Sequence, residues 1–216
     1  FDQDWDNLII LDACRYDVFR DNYELAGSLE KRTSRGAGTL EWLRGNFRNR
    51  ELLDTVYVTA NPQFYNHQAE LNTRFHDVWH IWQTDWDDDL KTVHPETTAK
   101  RTIEAIEEYP NKRVLAHFNQ PHGPFIGETG EKYVFGPGNI PMRERSFLDD
   151  VRIRIRAEMI PHDAWREAYV ETFEIAHEEV KEMLPELPGR TVVSSDHGSL
   201  LGERASPIPF RLYRHQ

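Results

Sequence analysis

The chain has 216 residues, with 37 acidic against 26 basic side chains, a formal net charge of −11 and a single cysteine. Binding a nucleic acid needs a concentrated Lys/Arg stripe, so this balance argues against it. The lone Cys14 excludes an internal disulfide or a multi-cysteine zinc site, and no run approaches the roughly 18 apolar residues of a membrane span.

The first buried strand is expected at Asn7–Leu11, and Asp12 follows it directly. Cys14 lies just beyond and reads as a packed thiol, with Arg15 and Asp17 as a helix start or ion pair. In Thr33–Leu43 the spacing of Leu40, Leu43 and Phe47 predicts a short helix starting near Thr39. Thr39 is then either a plain N-cap or a hydroxyl placed at the positive end of a helix. A second strand is expected at Thr55–Thr59, followed by Asn61, a turn residue or a site contact. Between Phe75 and Asp89, Trp79, Trp82 and Trp86 read as rings that pack a loop onto the core, in preference to a substrate platform.

Ala99, Ile103 and Ile106 share one face of a helix entered through Pro95 and closed by Pro110. The third strand, Arg113–Phe118, is followed by Asn119 and His122, with His117 expected as a satisfied core histidine. Gly127–Pro141 reads as an irregular loop and Arg143–Arg156 as a solvated helix face. Trp165, Tyr169, Thr172, Ala176, Val180 and Leu184 form a second helical stripe, closed by Pro185 and Pro188. The fourth strand, Thr191–Ser194, runs into Ser195-Asp196-His197-Gly198 and then Leu201-Gly202-Glu203.

This alternation predicts an α/β fold, a three-layer sandwich with a mostly parallel central sheet, as one domain over residues 1–216. Polar residues follow each expected strand: Asp12, then Asn61, then Asn119 and His122, then Asp196 and His197. In open α/β sheets ligands bind outside the carboxyl ends of the strands, so these residues are expected to converge. A carboxylate beside an imidazole suits zinc or manganese.

The string Ser194-Ser195-Asp196-His197-Gly198 with the following Leu201-Gly202-Glu203 resembles the late metal-binding motif of the alkaline phosphatase/sulfatase superfamily. Its phosphoethanolamine and lipoteichoic acid transferases share that motif. Asp6–Asp17 is similar to the superfamily's first strand, which ends on a metal-binding acid. The resemblance implies an alkaline-phosphatase-like catalytic domain holding one or two divalent ions, with Asp12, Thr39, Asp196 and His197 as ligands. The Gly36-x-x-Thr39 spacing resembles the transferases and implies Thr39 as nucleophile, with Ser34 as the alternative. His122-Gly123-Pro124-Phe125 resembles an element whose histidine contacts the transferred group, and Arg211–His215 a stretch that returns a histidine to the site. Catalytic roles are thus implied for Thr39 and His122, and substrate contacts for His122, His215 and Asn61.

The formylglycine signature of sulfatases is absent, because Cys14 is followed by Arg15-Tyr16-Asp17. The expected activity is therefore a metal-dependent hydrolase or transferase acting on phosphate esters through a phosphothreonine. The alternatives are a sulfuric ester hydrolase without formylglycine and a non-catalytic scaffold that retains the fold. The substrate is expected to be a small-molecule or a glycan- or lipid-linked ester, with no nucleic-acid partner and no membrane span. The acidic composition, richer in Arg than Lys, suits a protein from a salty cytoplasm, and a soluble, cytoplasmic chain is the expectation. A chain that opens on Phe1 is expected to be an excerpt of a longer one.

Overall fold

A computed structural model of the chain describes residues 3–133, 146, 160–204 and 211–212. The elements run β1 (Asn7–Asp12), α1 (Tyr16–Asn22), α2 (Thr39–Phe47), β2 (Glu51–Thr59), α3 (Gln63–Leu71), β3 (Arg74–His80) and α4 (Ile81–Thr84). They continue through α5 (Pro95–Glu108), β4 (Arg113–Pro121), α6 (Glu128–Lys132), α7 (His162–Met183), β5 (Thr191–Ser195), β6 (Glu203–Arg204) and β7 (Arg211–Leu212). Five strands form one sheet in the order β3-β2-β4-β1-β5, with every pairing parallel. Strands β6 and β7 form a separate antiparallel pair. No helix among the described residues is long and apolar enough to cross a membrane.

Burial explains the three layers. β1 is hydrogen-bonded on both sides and all six of its residues are buried, as a continuous apolar run requires. Its alternate side chains face opposite ways. Leu8 and Ile10 pack with Trp42, Leu43 and Phe47 of α2 and with Phe64 and Leu71 of α3. Ile9 and Leu11 pack with Val18 of α1 and with Tyr169, Phe173, Ala176 and Val180 of α7. The α5 helix covers β2 and β4 on that same second face, where Ala105 meets Val56, Val58 and Val114. Burying one large aliphatic side chain contributes about 1.5–3 kcal/mol, so both faces hold the sheet strongly.

Two expectations need correction. The Trp-rich stretch is not a loop: Arg74–His80 is the edge strand β3, paired with β2, and Trp82 lies on α4. A register shift between Leu52 and Val56 breaks the simple alternation there, and Phe75 is the only residue of β3 that is fully buried. Period-2 patterning is therefore weak at this edge. The second correction is Trp86, which is 42% exposed and not packed on the core. Within Gly127–Pro141 the short helix α6 forms, and residues 134–141 lie outside the described part. The Arg143–Arg156 stretch also lies outside it, apart from Ser146.

Candidate active site

All five strands point their carboxyl ends the same way, and the polar residues that follow β1, β2, β4 and β5 gather at that edge. β1 ends in a register shift after Leu11, and the chain turns through Ala13 at φ 60°. Tyr169 of α7 holds this turn, donating to the Ala13 carbonyl at 2.7 Å and accepting the Arg15 amide at 2.9 Å. The Ala13 amide in turn donates to Asp196 Oδ1 at 2.9 Å, as does the His197 amide at 2.8 Å. With Oδ1 committed to two backbone donors, Asp196 presents Oδ2 to the interior of the site.

Asp12 is oriented from the other side. Its Oδ2 accepts Asn61 Nδ2 at 2.6 Å and lies 3.5 Å from Thr39 Oγ1. Asn61 does two jobs, because its Oδ1 also accepts the Gln63 amide at 2.8 Å and so shapes the turn into α3. The two readings of Asn61, turn residue and site contact, are both met by one side chain. Thr39 is the first residue of α2, and the N-cap position belongs to Gly38. The Thr39 hydroxyl therefore does not cap the helix. It lies 3.4 Å from His197 Nε2 and faces the carboxylates. Gly36 allows this placement, since a Cβ there would come within 2.3 Å of the Trp42 amide nitrogen.

The Ser34 hydroxyl donates to the Asp196 carbonyl, so it is engaged with backbone beside the site. His122 donates its amide to the Asp12 carbonyl at 3.0 Å, and its Nδ1 is 2.5 Å from the Gly123 carbonyl. Asn119 donates to Thr92 Oγ1 at 3.2 Å and belongs to the cavity wall. That cavity holds about 570 Å³ and is lined by Asp12, Gly38, Thr39, Asn61, Trp86 and His122 among others. His215 lies outside the described residues.

Arg15 braces the segment after His197. Its guanidinium forks onto Asp17 with two 2.8 Å hydrogen bonds, donates to the Ser199 carbonyl at 3.0 Å and pairs with Glu203. Glu203 also accepts the Leu201 amide at 2.6 Å. Cys14 is buried, and burial pushes its thiol up, as for an unreactive packing residue.

The centre of the site is short of donors. Among the described residues, Asp12 Oδ1, Asp196 Oδ2 and His117 Nε2 are all buried without a hydrogen-bond partner. His197 Nε2 stands 3.3 Å from Asp12 Oδ1 and 3.4 Å from Asp196 Oδ2. Its Nδ1 is 2.7 Å from the Gly198 carbonyl, which can only accept, so Nδ1 carries a proton, and Nε2 offers a lone pair in the neutral ring or an N–H turned to the carboxylates in the imidazolium. Two buried carboxylates facing lone pairs require a cation, either a proton or a metal.

The acid–base balance says the same. Burial, then the negative charge of Asp12, pushes the Asp196 carboxyl up to about 7. Burial works against a charged His197, but Asp12 and Asp196 outweigh it and hold its imidazolium up to about 9. His117 is the core histidine expected, 0% exposed with Nδ1 2.8 Å from the Tyr57 hydroxyl, and burial pushes it down to about 4. It is only half satisfied: its Nε2 has no hydrogen-bond partner among the described residues and faces Asp196 Oδ2 at 3.8 Å. Ligand atoms of Asp12, His117 and Asp196 lie within 4.8 Å of one another, so these three could hold a metal ion. A histidine one residue before the end of an expected strand, next to a polar cluster, was the available signal.

No protein-family model matches this chain, and no curated protein matches it. What it does must therefore be argued from the geometry of these side chains.

Proposed function

We propose that this chain is a metal-dependent phosphate-ester hydrolase or transferase that works through a covalent phosphothreonine at Thr39, as its motifs resemble. One arrangement carries the reading. The Thr39 hydroxyl sits at the start of the nine-residue helix α2, 3.5 Å from a buried carboxylate and 3.4 Å from a buried imidazole, on the wall of a cavity. Asp12, Asp196 and His197 would hold the metal together with Thr39 Oγ1, and hard oxygens with a borderline nitrogen suit zinc or manganese. When bound, such an ion supplies Lewis-acid polarisation and neutralises charge on the substrate.

The chain's own residues do the rest. Gly38, Thr39 and Leu40 line the cavity at the amino end of α2, where unpaired amides and positive potential favour a phosphoryl group. Thr39 Oγ1 attacks phosphorus in line, forming an O–P bond as the bond to the leaving oxygen breaks. The hydroxyl proton is directed at Asp12 Oδ2, its hydrogen-bond acceptor. His122 contacts the phosphoryl oxygens or the leaving group from the cavity wall. Asn61 keeps the Asp12 carboxylate turned toward Thr39 throughout. Water or an acceptor alcohol then takes the phosphoryl group from Thr39. The substrate is a small-molecule or a glycan- or lipid-linked ester.

Trapping tests this directly. Rapidly quenched turnover of an aryl phosphate should leave a phosphoryl group on the Thr33–Arg44 segment, read by mass spectrometry. Thr39→Ala should lose nearly all turnover while retaining metal, and Thr39→Ser should keep some, because the attacking oxygen survives. Normal turnover in both Thr39→Ala and Ser34→Ala would rule out covalent catalysis on this segment.

A further inference from the structure

A buried polar chain lies beneath the site, and the mechanism above leaves it unused. Tyr57, Thr59 and His117 are each at most 1% exposed, on the adjacent strands β2 and β4. The Tyr57 hydroxyl lies 2.8 Å from His117 Nδ1. The Thr59 hydroxyl donates to the Asn61 carbonyl at 3.0 Å. A neutral imidazole carries one N–H, so a cation at His117 Nε2 requires the proton on Nδ1, where the Tyr57 oxygen can accept it.

Among the described residues His117 Nε2 has no hydrogen-bond partner, and it faces Asp196 Oδ2 at 3.8 Å. Asp12 and Asp196 complete a group of ligand atoms within 4.8 Å of one another. Two buried carboxylates beside an unpartnered imidazole nitrogen are unfavourable unless a cation stands among them. Asp12 is held from the end of β2 as well. Asn61, whose backbone anchors Thr59 through two 3.0 Å hydrogen bonds, donates its side chain to Asp12 Oδ2.

We infer that His117 is a further ligand of the cation through Nε2, and that Tyr57 is a positioning residue whose hydroxyl oxygen accepts the His117 Nδ1 proton and so turns Nε2 to the cation. Both parts rest on the metal-dependent reading above. Metal-ligating histidines depend on such outer partners, which set ring orientation and basicity.

The experiment is zinc affinity of the whole chain, measured by competition with a chromophoric chelator, with thermal melts by circular dichroism as the folding control. Tyr57→Phe should weaken zinc binding about 10-fold, within the range for loss of an outer partner. His117→Gln should weaken it by roughly 100-fold, and the cobalt-substituted protein should change its visible spectrum in both variants. If His117→Gln does not fold, nitrogen NMR of the unmutated chain carries the test. Zinc should shift the His117 Nε2 resonance while Nδ1 keeps its proton, and an unmoved Nε2 overturns the ligand assignment. Unchanged zinc affinity in both variants, beside a loss in Asp196→Ala, overturns the inference and leaves the metal reading standing. An unmutated chain that takes up neither zinc nor manganese overturns both. Weakened binding in His117→Gln alone, with Tyr57→Phe unaffected, overturns the positioning role of Tyr57.

Discussion

The two ends of the parallel sheet are built from the same strands and handle charge in opposite ways. At the amino end the charged groups stand in solvent with partners. Arg113 pairs with Asp54 at 3.5 Å and lies 3.5 Å from the Trp5 ring, and Arg190 pairs with Asp4 at 3.3 Å. Asp6 accepts the Arg190 amide at 2.7 Å across the turn made by Gly189 at φ 75°. At the carboxyl end Asp12 and Asp196 are 1% and 0% exposed, and each keeps one oxygen without a hydrogen-bond partner among the described residues. Exposed ion pairs contribute at most about 1 kcal/mol, whereas a buried carboxylate without its counter-cation costs several times that. The amino end is therefore maintained cheaply by solvent, and the carboxyl end holds an electrostatic deficit that only a proton or a metal removes.

Removing part of that deficit should break the contrast most severely. Asp196→Ala should abolish metal retention and lower phosphoesterase turnover by orders of magnitude, while the domain still melts cooperatively. Elemental analysis of the purified variant checks the first part, and full activity in a metal-free Asp196→Ala protein would sink the proposed mechanism. Stripping metal from the unmutated chain with a chelator should likewise lower its melting temperature, and zinc should restore it.

Asn61→Ala should come next. It removes a 2.6 Å hydrogen bond to Asp12 Oδ2 and the acceptor for the Gln63 amide. A hydrogen bond to a charged group contributes about 1.5–3 kcal/mol, so a loss of stability of that order is expected. Turnover should fall further than Thr39→Ser makes it fall, because Asp12 loses its orientation. Denaturant unfolding and steady-state rates read the two effects separately.

Acidity sharpens the same contrast in the metal-free protein. Asp196 is pushed up to about 7 from an ordinary value of 3.8, so the folded state binds more protons than the unfolded state between those limits. Its contribution to stability is present below pH 3.8 and is lost as pH rises through about 7. A bound metal replaces the proton. The gain in melting temperature on adding zinc should therefore be larger at pH 8 than at pH 5, and a pH-independent gain would contradict the buried-carboxylate account.

The smallest effect belongs to the amino end. Asp54→Asn leaves Arg113 with its hydrogen bond to the Trp5 carbonyl at 3.0 Å and its ring contact. Stability should change by less than about 1 kcal/mol, and added salt should erase most of the difference. A loss comparable to that of Asn61→Ala would mean that the two ends do not differ as described.

Much of this arrangement was legible in the amino-acid order. Continuous apolar runs at Asn7–Leu11 and Arg113–Phe118 specify strands buried on both faces, and the stripe from Trp165 to Leu184 specifies a long helix, α7. With strands and helices alternating, a parallel sheet follows, and so does the gathering of Asp12, Asn61, His122, Asp196 and His197 at one edge. What only the tertiary structure decided depends on partners distant in sequence. Thr39 could be told from a helix cap only once Asp12 and His197 stood at 3.5 and 3.4 Å from its hydroxyl. β3 emerged as a strand because β2 offers it an edge, since only Phe75 of its own residues is buried and its alternation is weak. His117 reads as core in a buried strand, and it became a candidate ligand only where Tyr57, 60 residues away, takes its Nδ1 and leaves Nε2 facing Asp196. Periodicity reports which face a side chain occupies, but hydrogen-bond polarity and the lack of a buried donor arise only when separate strands meet.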